Sequence, residues 1–305
     1  MRFPNFLVIG AMKAGTTTLY EDLRAHPGIF LPEKELASLN AADVVTTAGR
    51  ARYAKLFASA GDEQLPGEVS ATYAKLPDSS SGVVDRAAQL LGDEFRVLYL
   101  VRDPVDRVVS HHHHEVSRGG TESSIDVAVK RRPHLLDYTR YATQLRPWVD
   151  LLGVSRVRVV QFEKYVNDRS RVLDEICRFL GVGFAEGGSN SELIHNASAG
   201  RPIASGRMGR VVRSSAYHRF VRPLVPEGAR RLGGRLLLPK APPRPHPPAP
   251  ETVELIIQEI GPELDRLSEI TDRAWWDLES TKLRYQELYE QAQASPVADR
   301  HGNMS

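Results

Sequence analysis

The residues with the clearest chemical potential stand near the N-terminus, in Gly10-Ala11-Met12-Lys13-Ala14-Gly15-Thr16-Thr17-Thr18. Two glycines bracket a lysine, and three hydroxyls follow. Glycine lets a backbone come close to a phosphate, and the N–H groups of such a turn point at an anion. The lysine adds a full charge. The apolar run Phe6-Leu7-Val8-Ile9 in front of the turn reads as a buried strand, and Leu19 to about Ala25 is helix-compatible. The turn therefore falls between a strand and a helix N-terminus, where the helix dipole also favours an anion. Thr16 is expected to be the N-cap. The spacing is close to the nucleotide-triphosphate loop G-x-x-x-x-G-K-[ST] without matching it. Gly10 and Gly15 have the right separation, but Thr16 stands where that loop has its lysine, and Lys13 lies inside the turn.

A second anion site is spelled by Phe95 to Ser110, F-R-V-L-Y-L-V-R-D-P-V-D-R-V-V-S. Val97 to Val101 reads as a buried central strand. Asp103 is an N-cap and Pro104 sits at the first helical position, so the helix start is well specified. Val105, Val108, Val109 and His112 share one helix face. Arg102 falls at the strand's carboxyl end, where open α/β sheets collect ligands. Ser110 follows about two helical turns on. A planar guanidinium suits a phosphate, because its fork donates two bonds to one group.

These two stretches resemble the donor site of sulfotransferases, the enzymes that use 3′-phosphoadenosine 5′-phosphosulfate. Lys13-Ala14-Gly15-Thr16-Thr17-Thr18-Leu19 is similar to their 5′-phosphosulfate loop. The run Arg102-Asp103-Pro104-Val105-Asp106-Arg107-Val108-Val109-Ser110 is similar to their 3′-phosphate site, R-[DN]-P-x-[DE]-R-x-x-S. The resemblance implies that Lys13, Ala14, Gly15, Thr16, Thr17 and Thr18 hold the 5′ end of the donor, and that Arg102 and Ser110 grip the 3′-phosphate. Lys13 would neutralise the leaving oxygen as adenosine 3′,5′-bisphosphate departs. A transferred sulfuryl group carries less charge than a phosphoryl group, so no metal is implied. The segment Lys34-Glu35-Leu36-Ala37-Ser38-Leu39-Asn40 resembles the [K/N]-E-x-x-F-F-[D/N] loop of the heparan sulfate glucosaminyl branch, including its bacterial relatives. Glu35 takes the position of the general base, and Ser38 and Leu39 replace the paired aromatics. Gly67-Glu68-Val69-Ser70-Ala71-Thr72-Tyr73 resembles the family's acceptor-side segment, with Val69 in place of a lysine. Glu68 is the rival base, or else a structural carboxylate at a strand end. Around His195 to Pro202 the family places a basic loop over the adenosine, and Gly200 and Arg201 are its best matches.

The implied architecture is α/β: three layers, with a mainly parallel central sheet flanked by helices, in the P-loop NTPase-like sulfotransferase fold. Residues 1–290 read as one domain, with a Pro-rich connector at 239–250 and terminal helices over 251–288. Val253, Ile256, Ile257 and Ile260 mark the first of these, and Pro262 is expected to start another. Residues 291–305 read as a disordered tail. The four-histidine run His111–His114 reads as a solvated or partly packed helix face, because consecutive helical residues fan out and at most two can share a metal.

Composition narrows the function classes. In 305 residues the net charge is +2, too small to argue for nucleic acid by itself. No apolar run is long enough for a transmembrane helix. Cys177 is the one cysteine, so no internal disulfide is possible, and a cytoplasmic enzyme is the simplest expectation. The first strand begins almost at once, leaving no room for a signal peptide. From Arg201 to Lys240 there are nine arginines and one lysine against Glu227 alone, read as a solvated basic surface, a lid or an anionic-acceptor surface. Two rivals follow from the same residues. A P-loop-like nucleotide kinase or hydrolase needs the missing lysine at position 16. A polyanion-binding module using 201–240 predicts steeply salt-dependent binding. Neither explains both phosphate motifs. The expected partner is a hydroxyl acceptor on a carbohydrate, a lipid or a small natural product.

Overall fold

The computed structural model describes residues 1–77, 82–183 and 246–294. Gly200, Arg201, the arginine-rich 201–240 stretch, most of the 239–250 connector and the tail from residue 295 lie outside the described residues.

Five strands form one sheet: β1 (Phe6–Gly10), β2 (Ile29–Phe30), β3 (Leu65–Val69), β4 (Arg96–Val101) and β5 (Val157–Gln161). Their order is β2-β3-β1-β4-β5, and every neighbouring pair is parallel. Phe6 to Ile9 and Val97 to Val101 are fully buried, which is why these two runs carry continuous apolar residues rather than an alternating pattern. Helices supply the crossovers and cover the faces: α1 (Thr16–Ala25), α2 (Thr47–Lys55), α3 (Val83–Leu91), α4 (Pro104–Val116), α5 (Ile125–Arg131), α6 (His134–Asp137), α7 (Tyr141–Leu152), α8 (Phe162–Asn167) and α9 (Arg169–Leu180). Two more, α10 (Pro250–Thr271) and α11 (Leu278–Ala294), pack on the same body.

The topology decides where a ligand can sit. After β1 the chain crosses to the edge strand β2 and returns to insert β3 between them, then places β4 and β5 on the other side of β1. The carboxyl end of β1 is thus the point where strand order reverses, and a crevice opens there. The Ala11 amide donates to the Leu100 carbonyl at 2.6 Å, and the Ser70 amide to the Val8 carbonyl at 2.9 Å. These two bonds fix the mouths of β1, β3 and β4 side by side.

Two local expectations fail. Thr16 is not the cap of α1: Gly15 is, in the left-handed region at φ 92°, and Thr16 opens the helix. The turn needs that conformation, and a Cβ on Gly15 would lie 2.5 Å from the Phe162 ring. Pro262 does not start a helix, because it lies inside α10. The buried stripe Val253, Ile256, Ile260, Leu264 and Leu267 runs through it without a break. Gly261 has no Cβ to meet the proline ring, which eases the usual conflict. By contrast the start of α4 is as expected: Asp103 Oδ1 accepts from the Asp106 amide at 3.0 Å, and Pro104 takes the first position. Cys177 is buried on α9, and no helix among the described residues is long and apolar enough to cross a membrane.

Candidate active site

A cavity of about 380 Å³ opens at the strand mouths. The turn after β1 contributes Met12, Lys13 and Gly15, and α1 contributes Thr16, Thr17 and Thr18. The end of β4 and α4 contribute Arg102 and Ser110, and the connection after β2 contributes Glu35. The sequence-derived residues thus come together, with three exceptions among the described ones. Ala14 is buried in the core and Glu68, on β3, is wholly buried, so neither lines the cavity, and Gly10 forms the end of β1. Lys34, Thr72, Lys75, His114, Arg118 and Phe162 complete the wall. His114 and Arg118 follow Ser110 at steps of four along the chain, so a helical reading of α4 continued past Ser110 would have found them.

Charge is concentrated here. Lys13, Lys34, Lys75, Arg102 and Arg118 line the cavity against one carboxylate, Glu35. Lys13 sits at φ 72°, and its ammonium is pulled down to about pH 8. Burial is the largest cause, followed by the charges of Arg118, Arg102, Arg107 and Lys34. Arg102 Nη1 donates to the Lys13 carbonyl at 3.5 Å, and its guanidinium stacks 5.0 Å from the centre of the Phe162 ring. Its backbone is pinned by Tyr141, whose hydroxyl donates to the Arg102 carbonyl at 2.7 Å. Arg102 Nε is buried with no partner among the described residues. An orphaned donor on a cationic wall is what an anionic ligand would satisfy. Behind the turn, Arg107 is fully buried and donates to neutral oxygens: Thr139 Oγ1 at 2.7 Å, the Met12 carbonyl at 3.4 Å and the Leu135 carbonyl. It thereby ties the phosphate turn to the helix that carries Ser110.

The two glutamates differ in every respect that bears on reactivity. Glu35 sits at φ 62°, and its amide donates to the Val69 carbonyl at 3.0 Å. Its Oε2 accepts from the Ala71 amide at 3.0 Å and from Ser70 Oγ at 3.4 Å, while Oε1 pairs with Lys34. The carboxylate is therefore aimed by the Ala71 amide on one side and faces the cavity, paired with Lys34, on the other. Glu68 is wholly buried. Tyr53 donates to Oε2 at 2.6 Å and Tyr73 to Oε1. Burial pushes its carboxyl up, and the two phenols and the Ser38 amide pull the other way.

The histidine run is packed rather than solvated. His111, His112 and His113 are buried, and only His114 reaches the cavity. Helix α4 is covered on several sides, by α5, α6 and α10, so most of the fan of side chains meets protein. Burial holds His114 down at about pH 4, helped by Lys13, Arg118 and Lys75. His111, Glu115 and His134 lie close enough to hold a metal. However, His111 Nδ1 faces Arg107 Nη1 at 3.5 Å, and a guanidinium only donates. Nδ1 is then the acceptor, and Nε2 keeps its proton toward Glu115 Oε1 at 3.5 Å. A metal on Nε2 would force that proton onto Nδ1, against Arg107.

The family model "Sulfotransferase domain" matches residues 3–199, and the chain belongs to that family. A crystal structure of a sulfotransferase from Alicyclobacillus acidocaldarius superposes with a TM-score of 0.61 at 20% identity, over 93% of this chain and 100% of that one. The fold is therefore the sulfotransferase fold. The heparan sulfate glucosamine 3-O-sulfotransferase 3A1 of Mus musculus is 24% identical over 190 residues, covering 59% of this chain and 46% of the relative. A membrane-associated sulfotransferase of Dictyostelium discoideum is 30% identical over 114 residues, or 37% of this chain and 23% of the relative. The chain thus spans less than half the length of these two curated relatives.

Proposed function

We propose that this chain moves a sulfuryl group from 3′-phosphoadenosine 5′-phosphosulfate to an acceptor hydroxyl, with Glu35 as general base. The observation that carries the reading is the convergence of Lys13, Arg102, Ser110 and Glu35 on one cavity whose other charged walls are cationic. When bound, the donor supplies the sulfuryl group and leaves as adenosine 3′,5′-bisphosphate. The turn amides, the hydroxyls of Thr16 and Thr17, and Lys13 hold the 5′ end and oppose the charge that grows on the leaving oxygen. Arg102 and Ser110 hold the 3′-phosphate. Glu35 takes the acceptor proton as the new oxygen–sulfur bond forms and the bridging sulfur–oxygen bond breaks. Its fixed Oε2, anchored on the Ala71 amide, leaves Oε1 as the proton acceptor once Lys34 turns to solvent or to an anion.

The acceptor is a hydroxyl on a carbohydrate, a lipid or a small natural product. The glucosaminyl relatives favour the first, and the absence of paired aromatics at Ser38 and Leu39 removes a stacking surface for a sugar chain. The single buried thiol of Cys177 favours the cytoplasm as its compartment.

The test is incubation with sulfur-labelled donor and a panel of hydroxyl acceptors, alongside calorimetry with adenosine 3′,5′-bisphosphate. Wild type is expected to label at least one acceptor and bind the bisphosphate, and Lys13→Ala to lose turnover. No bisphosphate affinity, or magnesium-dependent nucleotide hydrolysis instead, would overturn the reading.

A further inference from the structure

The family-matched segment ends at residue 199, yet α11, at residues 278–294, reaches the start of α4. Thr281, Arg284 and Tyr285 lie on one face of α11, at the i, i+3 and i+4 positions. Between them they meet the two carboxylates that follow Arg102 at the start of α4. Asp103 Oδ2 accepts from Thr281 Oγ1 at 2.5 Å and lies 3.6 Å from Arg284 Nη2. Asp106 Oδ1 accepts from the Tyr285 hydroxyl at 2.7 Å, and Arg284 Nη1 donates to both Asp106 oxygens at 3.1 and 3.2 Å.

Asp106 has another neighbour. One helical turn back, Arg102 Nη2 stands 3.8 Å from Asp106 Oδ2, near enough to attract but too far for a hydrogen bond. We propose that Arg284 and Tyr285 are positioning residues: by saturating Asp106 they keep it from drawing the Arg102 guanidinium out of the cavity. This inference rests on the reading that Arg102 receives the 3′-phosphate. The competition is direct, because a guanidinium engaged bidentately by a carboxylate has no fork left for a phosphate. With α11 in place, Asp106 is neutralised from the solvent side, and the buried Arg102 Nε remains unpartnered and available. Without it, Arg102 becomes the cation nearest to a partly buried carboxylate, and the 3.8 Å gap closes. The C-terminal helix would then complete the donor site without touching the donor.

The experiment uses the full chain and compares Arg284→Gln, Tyr285→Phe and the double variant by calorimetry, with two nucleotides. Adenosine 3′,5′-bisphosphate carries the 3′-phosphate and adenosine 5′-monophosphate lacks it. The double variant is expected to bind the bisphosphate on the order of tenfold more weakly, the scale of one charged hydrogen bond, with the monophosphate unaffected. Adding Asp106→Asn should restore most of the bisphosphate affinity, because it removes the competitor. A purely architectural role for α11 predicts equal losses for both nucleotides and no rescue, and either result overturns the inference. No loss in the Tyr285→Phe and Arg284→Gln double variant overturns it as well. Arg102→Gln separates the two layers. If it abolishes the preference for the bisphosphate while the α11 variants do nothing, only the positioning role falls. If it leaves that preference intact, the assignment of Arg102 falls, and the positioning role with it.

Discussion

The two walls of the cavity are built in opposite ways. The wall assigned to the donor is contiguous chain anchored on fully buried strands: the turn between β1 and α1, and the junction of β4 with α4. Much of it is backbone, held by Ala11 on Leu100, by Gly15 against Phe162 and by Arg107 on Met12. The facing wall is made of side chains from connections: Lys34 and Glu35 after β2, and Thr72 and Lys75 in and after the short helical turn that follows β3. Glu35 there is exposed, whereas Glu68, on the neighbouring strand, is sealed between two phenols. If the proposed roles hold, the donor meets mostly backbone and the acceptor mostly side chains carried by connections, the division of labour expected of loops on a rigid scaffold. Lys13 and Glu35 both hold positive φ angles, two of four such non-glycine residues among the described ones, so strain is concentrated where the two walls face each other.

The contrast between the two glutamates gives the largest expected effects. Glu35→Gln should lower turnover by roughly 10²–10⁴-fold, the range of a lost general base, with bisphosphate affinity unchanged. Single-turnover kinetics beside calorimetry measures both, and an equal loss in binding would break the separation of the walls. Glu68→Leu should act oppositely. It leaves the Tyr53 and Tyr73 hydroxyls buried without an acceptor, at a cost of roughly 2–6 kcal/mol for the pair. Urea unfolding would read that loss, while turnover per folded molecule stays near wild type. Turnover lost with stability kept would make Glu68 the base.

Next in size is Gly15→Ala. The new methyl would meet Phe162 at 2.5 Å and hold a left-handed backbone, so bisphosphate affinity should fall by about 1–3 kcal/mol. A comparable substitution on the facing wall, Thr72→Ala, should leave that affinity alone. If both change it equally, the donor wall is not the rigid one.

This asymmetry also explains what the sequence could show. The donor wall is local in the chain, so strand, turn, Arg102 and Ser110 are legible from short-range patterns, and the order of buried runs implies the parallel sheet. The facing wall depends on contacts between distant segments. Nothing local to Glu68 reveals that Tyr53 and Tyr73 close over it. Nothing local to Asp106 points to Arg284, far along the chain. Gly15 rather than Thr16 caps α1, because side-chain capping preference says little about a turn that needs a left-handed residue with no Cβ against Phe162. The histidine run shows the same dependence: of the solvated and partly packed readings its sequence allows, the packed one holds, because α5, α6 and α10 cover α4. At Pro262 a local breaker lost to an apolar stripe running the length of α10.

The smallest expected effect joins the walls through Lys13, whose ammonium is held down at about pH 8, mainly by burial. An anion at the donor site favours the charged form. Bisphosphate affinity should therefore fall as pH rises through about 8, by up to roughly tenfold between about pH 7 and 9. Stability carries the opposite sign. The folded protein binds this proton more weakly than the unfolded chain, whose lysine keeps its ordinary value of 10.5. Below about 8 the cost of burying the charge is present in full. Between about 8 and 10.5 the unfolded state holds more protons, so the Lys13 contribution to stability rises with pH. Titrating wild type against Lys13→Met isolates both slopes, because other groups cancel in the difference. The empty protein should become more stable over the range in which it loses its ligand. If both quantities move in the same direction, Lys13 is not the group that couples the charge of the cavity to the anion.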